Sequence, residues 1–214
     1  MNIQLYLKFY YDHVLSQVYS EGDSPFHRSV TADVVSRFID PLEIKKDATI
    51  LDLGCGPGYF LEEMQAREYT DVVGITASRE DVETCEQKQL KARLGDMNLL
   101  PEKDESVDLL FCRHAIEHSP FPYFSLLEYN RVLKPKGKLY IEVPAPDCDR
   151  PHEDNLNHYS IMGRKMWLSL LKRSGFDVSW YDYEFPIQFT GDDQVYTERY
   201  YIFVCTRSRS VDVK

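Results

Sequence analysis

The stretch Ile50-Leu51-Asp52-Leu53-Gly54-Cys55-Gly56-Pro57-Gly58-Tyr59-Phe60 reads as a short apolar strand that runs at once into a glycine-rich turn and then into a helix. Glycines at 54, 56 and 58 remove side chains where the chain reverses, so backbone N–H groups can come close to a ligand. A tight strand-to-helix turn also uses glycine for its own sake, and the glycines alone leave both readings open. Asp52, near the carboxyl end of the strand, adds a second signal. It can accept a hydrogen bond from an ammonium or order a water, which suits an amino-acid-bearing cofactor better than a pyrophosphate.

Outward from this turn the apolar period keeps switching. Residues 49–53, 72–76, 107–112, 138–143, 177–183 and 199–206 read as strands, and 60–67, 123–133 and 160–173 as helices. Such alternation predicts a mainly parallel sheet covered on both faces, with an antiparallel pair at the edge where the last two strands follow without a helix. Lys134-Pro135-Lys136-Gly137 is a helix stop and turn, and Gly175 ends the last helix. Upstream, Leu5, Leu7, Phe9, Tyr10, Val14, Leu15 and Val18 stand at mixed helical spacing, so a helix is expected within residues 1–22. Glu21-Gly22-Asp23-Ser24-Pro25 is a breaker cluster, and Val30, Val34, Val35 and Phe38 give a second helix over 29–39 that Asp40-Pro41 stops.

A chain of 214 residues, 43% of them hydrophobic, can bury one sizeable core, so one domain with decorations is expected. A net charge of -10 repels polyanions, and the basic run Arg207-Ser208-Arg209 is too short to track phosphates, so nucleic acid is not an expected partner. Cys55, Cys85, Cys112, Cys148 and Cys205 are scattered without a CxxC, which suggests neither a disulfide framework nor a zinc site and fits a reducing, cytoplasmic compartment. No apolar run approaches the roughly 20 residues that span a bilayer, and the first residues lack the pattern of a signal peptide. No membrane insertion is expected, and a monomer or weak homodimer is.

The glycine stretch resembles the first motif of the class I S-adenosylmethionine-dependent methyltransferases. The resemblance extends over residues 48–144 through Gly95-Asp96-Met97, Ser106-Val107-Asp108-Leu109-Leu110, Ala115-Ile116-Glu117-His118 and Arg131-Val132-Leu133-Lys134-Pro135-Lys136-Gly137. It implies an α/β fold: a doubly wound, Rossmann-like seven-stranded sheet of order 3-2-1-4-5-7-6 with the last strand antiparallel, and S-adenosyl-L-methionine as cofactor. An N-terminal helical cap (1–45), a cofactor-binding core (46–146) and a substrate loop with the last helix and strand pair (147–214) follow from it.

By the same resemblance, Gly54, Gly56 and Gly58 line the methionine and ribose portions, Asp52 faces the amino group, and Asp96 with Met97 holds the adenine. Cys55, Arg113 and His114 flank these positions and are expected among the cofactor contacts. The second strand departs from the family pattern. It ends in Thr76 within Gly74-Ile75-Thr76-Ala77-Ser78, where family members carry an acid for the ribose hydroxyls. This stretch is similar to that of cyclopropane-synthase-like and tocopherol-type methyltransferases, so Thr76 and Ala77 are expected to serve with a hydroxyl and backbone instead.

Glu117 and His118 follow the fourth strand by a few residues, where a methyl acceptor must sit. A histidine there can take the acceptor's proton, or it can cap a helix or pair with Glu117. The polar, proline-rich residues 144–160 are long for a connector and are expected to hold the substrate. Their Asn155-x-x-His158-Tyr159-Ser160 end resembles the ubiquinone-type O-methyltransferases, and His158 is expected to help His118. His152, Glu153 and His158 match no zinc spacing, so no metal is expected. Tyr6, Tyr10, Tyr11 and Tyr19, with Phe9 and Phe26, suggest an aromatic lid over the cofactor.

The expected reaction is methyl transfer to an oxygen or nitrogen atom, or a carbon, of a small-molecule acceptor. Two rivals belong to other classes. A nicotinamide-dependent oxidoreductase would show an acid ending the second strand, or an arginine for a 2′-phosphate, and would leave Asp96-Met97 without a role. A binding protein without turnover would keep the fold and the cofactor site alone.

Overall fold

The computed structural model describes residues 3–20, 22–146, 148–188 and 194–211, so Glu21 of the breaker cluster and Asp147 of the long loop lie outside the described residues. A seven-stranded sheet runs β3-β2-β1-β4-β5-β7-β6. At its centre β1 (Thr49–Leu53) pairs in parallel with β2 (Asp71–Thr76) and β4 (Val107–Arg113). Ile50, Leu51, Leu53, Leu109 and Leu110 are buried, which is why these strands are apolar without alternation.

β3 (Ala92–Leu94) has only three residues and carries no period of its own; helix α4 (Arg79–Gln87) leads into it. β5 (Leu133–Pro144) pairs in parallel with β4, and β7 (Val195–Arg207) lies antiparallel between β5 and β6 (Phe176–Gln188). The pairing jumps from Val107↔Leu133 to Leu109↔Lys138, so residues 134–137 bulge from the strand and make the expected turn within it.

Helices cover both faces. On one, α5 (Pro122–Val132) and α6 (Arg164–Arg173) bury Tyr129, Val132, Trp167 and Leu171. On the other, α2 (Pro25–Val34) and α3 (Tyr59–Ala66) bury Val34, Phe60 and Met64. The rings of Phe60, Phe111 and Tyr140 stack across α3, β4 and β5 with centroids 3.9 and 4.9 Å apart.

The cap begins with α1 (Ile3–His13) and a 3-10 turn at Leu15–Gln17. α2 starts earlier than its apolar face suggests, because the Ser24 hydroxyl accepts from His27 N and Pro25 fills the first turn. It continues as a π-helical turn over Val35–Ile39. Within the basic run, Arg207 is buried, donating to Leu133 O and Glu105 at 2.8 Å each. No described helix is long and apolar enough to cross a membrane.

Candidate active site

The carboxyl ends of β1, β2 and β4 open into a cavity of about 250 Å³. Its floor is the β1–α3 turn, where Gly54 N and Cys55 N donate to Ile75 O at 2.8 and 3.1 Å and tie the loop to β2. Gly54 has φ +74°, and a Cβ there would stand 2.5 Å from that of Ala115, so this close approach admits only glycine. Gly54, Cys55 and Gly56 line the cavity. Gly58 does not. It caps α3, and a Cβ there would meet Leu90, beyond α4, at 2.8 Å and Cys85 of α4 at 3.0 Å.

Asp52 lines the cavity, is 3% exposed, and has no hydrogen-bond partner among the described residues. Burial holds its carboxyl well above the usual range, while Arg113 pulls the other way. An arriving cation supplies what this group lacks. Thr76 and Ala77 line the far wall, and the Thr76 hydroxyl donates to Asp81 at 3.1 Å. Asp81, buried in the first turn of α4, also lines the cavity and restores a carboxylate where the strand has none. Its sequence signal is the Ser78-x-x-Asp81 pattern of a helix start. Asp96 and Met97 line the cavity beside it, and Asp96 accepts from the Asn98 backbone and amide at 2.8 and 2.9 Å.

The opposite end gathers histidine. Of the six histidines in the chain, His27, His114, His118, His152 and His158 line this one cavity. Beneath them Glu142 on β5 is fully buried. It accepts from His114 Nε2 at 2.9 Å and from the Tyr140 hydroxyl at 2.6 Å, and Arg113 Nε lies 2.8 Å away. Burial alone pushes the Glu142 carboxyl up, but Arg113, His114 and Tyr140 outweigh it and hold it at about 2. His114 is raised in turn, because bonds to Glu117 and Glu142 overcome the opposing effect of burial.

Glu117 sits in the 3-10 turn Ile116–His118 after β4, buried, with Oε1 3.5 Å from His114 Nδ1 and Oε2 without a partner. His118 Nδ1 donates to Asn157 O at 2.9 Å, and its Nε2 has no hydrogen-bond partner among the described residues. His158 Nδ1 donates to His152 O at 2.8 Å, and its Nε2 accepts from the Asn155 amide at 3.2 Å. Burial holds the His158 imidazole below its ordinary range despite Glu117 nearby. The two rings stand 4.8 Å apart, so the two loops do bring Glu117, His118 and His158 together.

The long loop is fastened here rather than loose. Tyr159 N and Ser160 N donate to Glu117 O at 2.9 and 3.0 Å, and His152 Nε2 bonds Glu198 on β7 at 2.5 Å. Glu153 does not line the cavity. From the cap, Tyr10 and Tyr19 face the cavity; Phe9, Tyr11 and Phe26 do not, and the ring of Tyr6 lies outside the described residues.

Residues 51–141 match the family described as a methyltransferase domain. The chain is 24% identical over 176 residues to 27-O-demethylrifamycin SV methyltransferase of Amycolatopsis mediterranei, covering 74% of this chain and 65% of that protein. It is 31% identical over 144 residues to the malonyl-[acyl-carrier protein] O-methyltransferase of Legionella pneumophila, covering 62% and 50%. It thus spans less than two thirds of the length of either relative. The solved YcgJ protein of Bacillus subtilis has the same fold, with a TM-score of 0.71 at 16% identity over 85% of this chain and 99% of that one.

Proposed function

We propose that this chain, whose residues 51–141 match a methyltransferase domain, is an S-adenosylmethionine-dependent methyltransferase of class I that methylates an oxygen or nitrogen atom of a small-molecule acceptor. The observation that carries the reading is a single cavity with a buried, partnerless Asp52 at one end and the unshared Nε2 of His118 at the other. S-adenosylmethionine supplies the methyl group when bound.

Asp52 takes the cofactor's ammonium, which favours its charged form. The Gly54–Gly56 backbone admits the ligand closely, Asp81 with Thr76 serves the ribose hydroxyls, and Asp96 with Met97 holds the adenine. His118 Nε2 accepts the acceptor's proton, while His158, its own Nε2 occupied by Asn155, orients the acceptor. Alignment of the acceptor with the methyl group would supply most of the rate. The negative charge of the chain favours a small molecule over nucleic acid.

Calorimetry with S-adenosylhomocysteine and NAD tests the cofactor. Saturable binding of S-adenosylhomocysteine and none of NAD is expected, and the reverse sinks the reading. Methyl-labelled cofactor incubated with a metabolite pool then separates turnover from binding alone.

A further inference from the structure

The thiols of Cys55 and Cys85 are nucleophiles that the proposed transfer leaves idle. Cys55 belongs to the loop that floors the cavity, and Cys85 comes from the last turns of α4. They pack in one cluster with Leu61 and Leu90, and Cys85 Sγ donates to Gly56 O at 3.6 Å, so both thiols lie against the same loop. Two glycines make the room. A Cβ on Gly74 would stand 2.6 Å from Cys55 Sγ, and one on Gly58 would stand 3.0 Å from Cys85 Sγ. The sulfurs therefore fill space that any other residue at 58 or 74 would deny them.

Chemistry distinguishes the pair. Contact with Cys85, and burial, push the Cys55 thiol up. Contact with Cys55 and the Lys88 ammonium bring the Cys85 thiol down against the effect of burial. Lys88 is held over the loop by donating to Pro57 O at 2.8 Å. Access distinguishes them too: Cys85 is sealed, whereas Cys55 borders the cavity and is reachable while no ligand covers it.

We propose that Cys55 and Cys85 are a modification site, a dithiol that a peroxide oxidises to a reversible disulfide which locks the cofactor loop. Cys55 passes its proton to the Cys85 thiolate and its sulfur attacks a hydrogen peroxide oxygen; the O–O bond breaks, the departing hydroxide takes that proton back from Cys85 and leaves as one water, and Cys55 becomes a sulfenic acid. The Cys85 thiolate attacks that sulfur, the S–S bond forms, and the S–O bond breaks to release the second water after protonation. Two thiols and one peroxide yield one disulfide and two waters. The bond ties the Gly54–Gly56 backbone to α4, and so displaces the floor on which the cofactor rests.

The test treats the full chain with hydrogen peroxide, blocks remaining thiols, and maps unreduced peptides by mass spectrometry. A peptide pair joining Cys55 and Cys85 is expected, removed by dithiothreitol, and slowed about tenfold or more by saturating S-adenosylhomocysteine. The cross-linked protein is expected to bind S-adenosylhomocysteine about tenfold more weakly or worse. Cys85→Ser, with Cys85→Ala as a second variant if the serine unfolds, should bind the ligand before and after peroxide alike.

Half-exposed Cys148 is the internal control. Oxidation of Cys148 with no cross-link, or Cys55 advancing to sulfinic acid beside a reduced Cys85, overturns the proposal. Unchanged affinity of the cross-linked protein overturns the lock. Failure of the reduced protein to bind S-adenosylhomocysteine counts against the proposed function instead, because the cross-link is read by mass alone.

Discussion

Among the described residues His118 has one ring nitrogen committed and one free, and the carbonyl of Asn157 decides which. A carbonyl only accepts, so Nδ1 must carry a hydrogen, and the tautomer of the neutral ring has its lone pair on Nε2. His118→Ala is therefore expected to lower turnover by about 10²-fold with S-adenosylhomocysteine affinity unchanged, read by labelled-cofactor transfer beside calorimetry. Full turnover in the variant returns His118 to a structural role. Sequence placed Asp52, Glu117 and His118 at the cavity because each lies within a few residues of a strand end, and local spacing fixes such positions. Asp81 escaped that logic. It reaches the site through its bond to Thr76, from a helix start that reads as an ordinary charged face, Arg79-Glu80-Asp81. Gly58 failed it the other way, since a glycine beside a ligand and a glycine beside Leu90 look alike in a motif.

Among the elements, the strands with continuous apolar runs were legible and the three-residue β3 was not, because so short a segment has no measurable period. The edge strands run longer than their apolar stretches, β6 to Gln188 and β7 from Val195, since their ends are held by each other rather than by the core. The cap expected to form a lid and the loop expected to hold the substrate differ in how they are held. Residues 148–160 are bonded to the turn after β4 and to β7. α1 leaves Leu5, Leu7, Phe9 and Tyr11 exposed and meets the rest through few contacts, among them the Asn98 amide on the Tyr10 hydroxyl at 2.7 Å. Limited proteolysis should therefore cut first within residues 3–20, and S-adenosylhomocysteine should slow that cut. Cleavage at an unchanged rate with ligand bound removes the cap from the site.

Across the whole molecule, the buried ion network makes stability a function of pH. Glu142 is held from 4.5 down to about 2, so its contribution is complete above the unfolded value and is lost as pH falls through the folded one. His114 is raised above 6.5, so its contribution is complete below that value and fades as pH rises through the raised one. Urea unfolding should show greatest stability between these limits, with a loss on acidification below about 4.5 that Glu142→Gln flattens. An acid limb as steep in Glu142→Gln as in the parent would mean that other carboxylates carry it. The same sheet that positions this network also dictates an order of assembly. β7 lies between β5 and β6 and supplies Glu198 to His152, yet it is translated after both neighbours. On the ribosome, β1 to β5 can pair as they emerge, while β6 waits with no strand beside it. The hydrogen-bonding edge of β5 stays open until the thirteen residues of β7 arrive. The Asp52 end of the cavity is thus the part that nascent chain can form first, and the histidine end is finished only when β7 has left the exit tunnel.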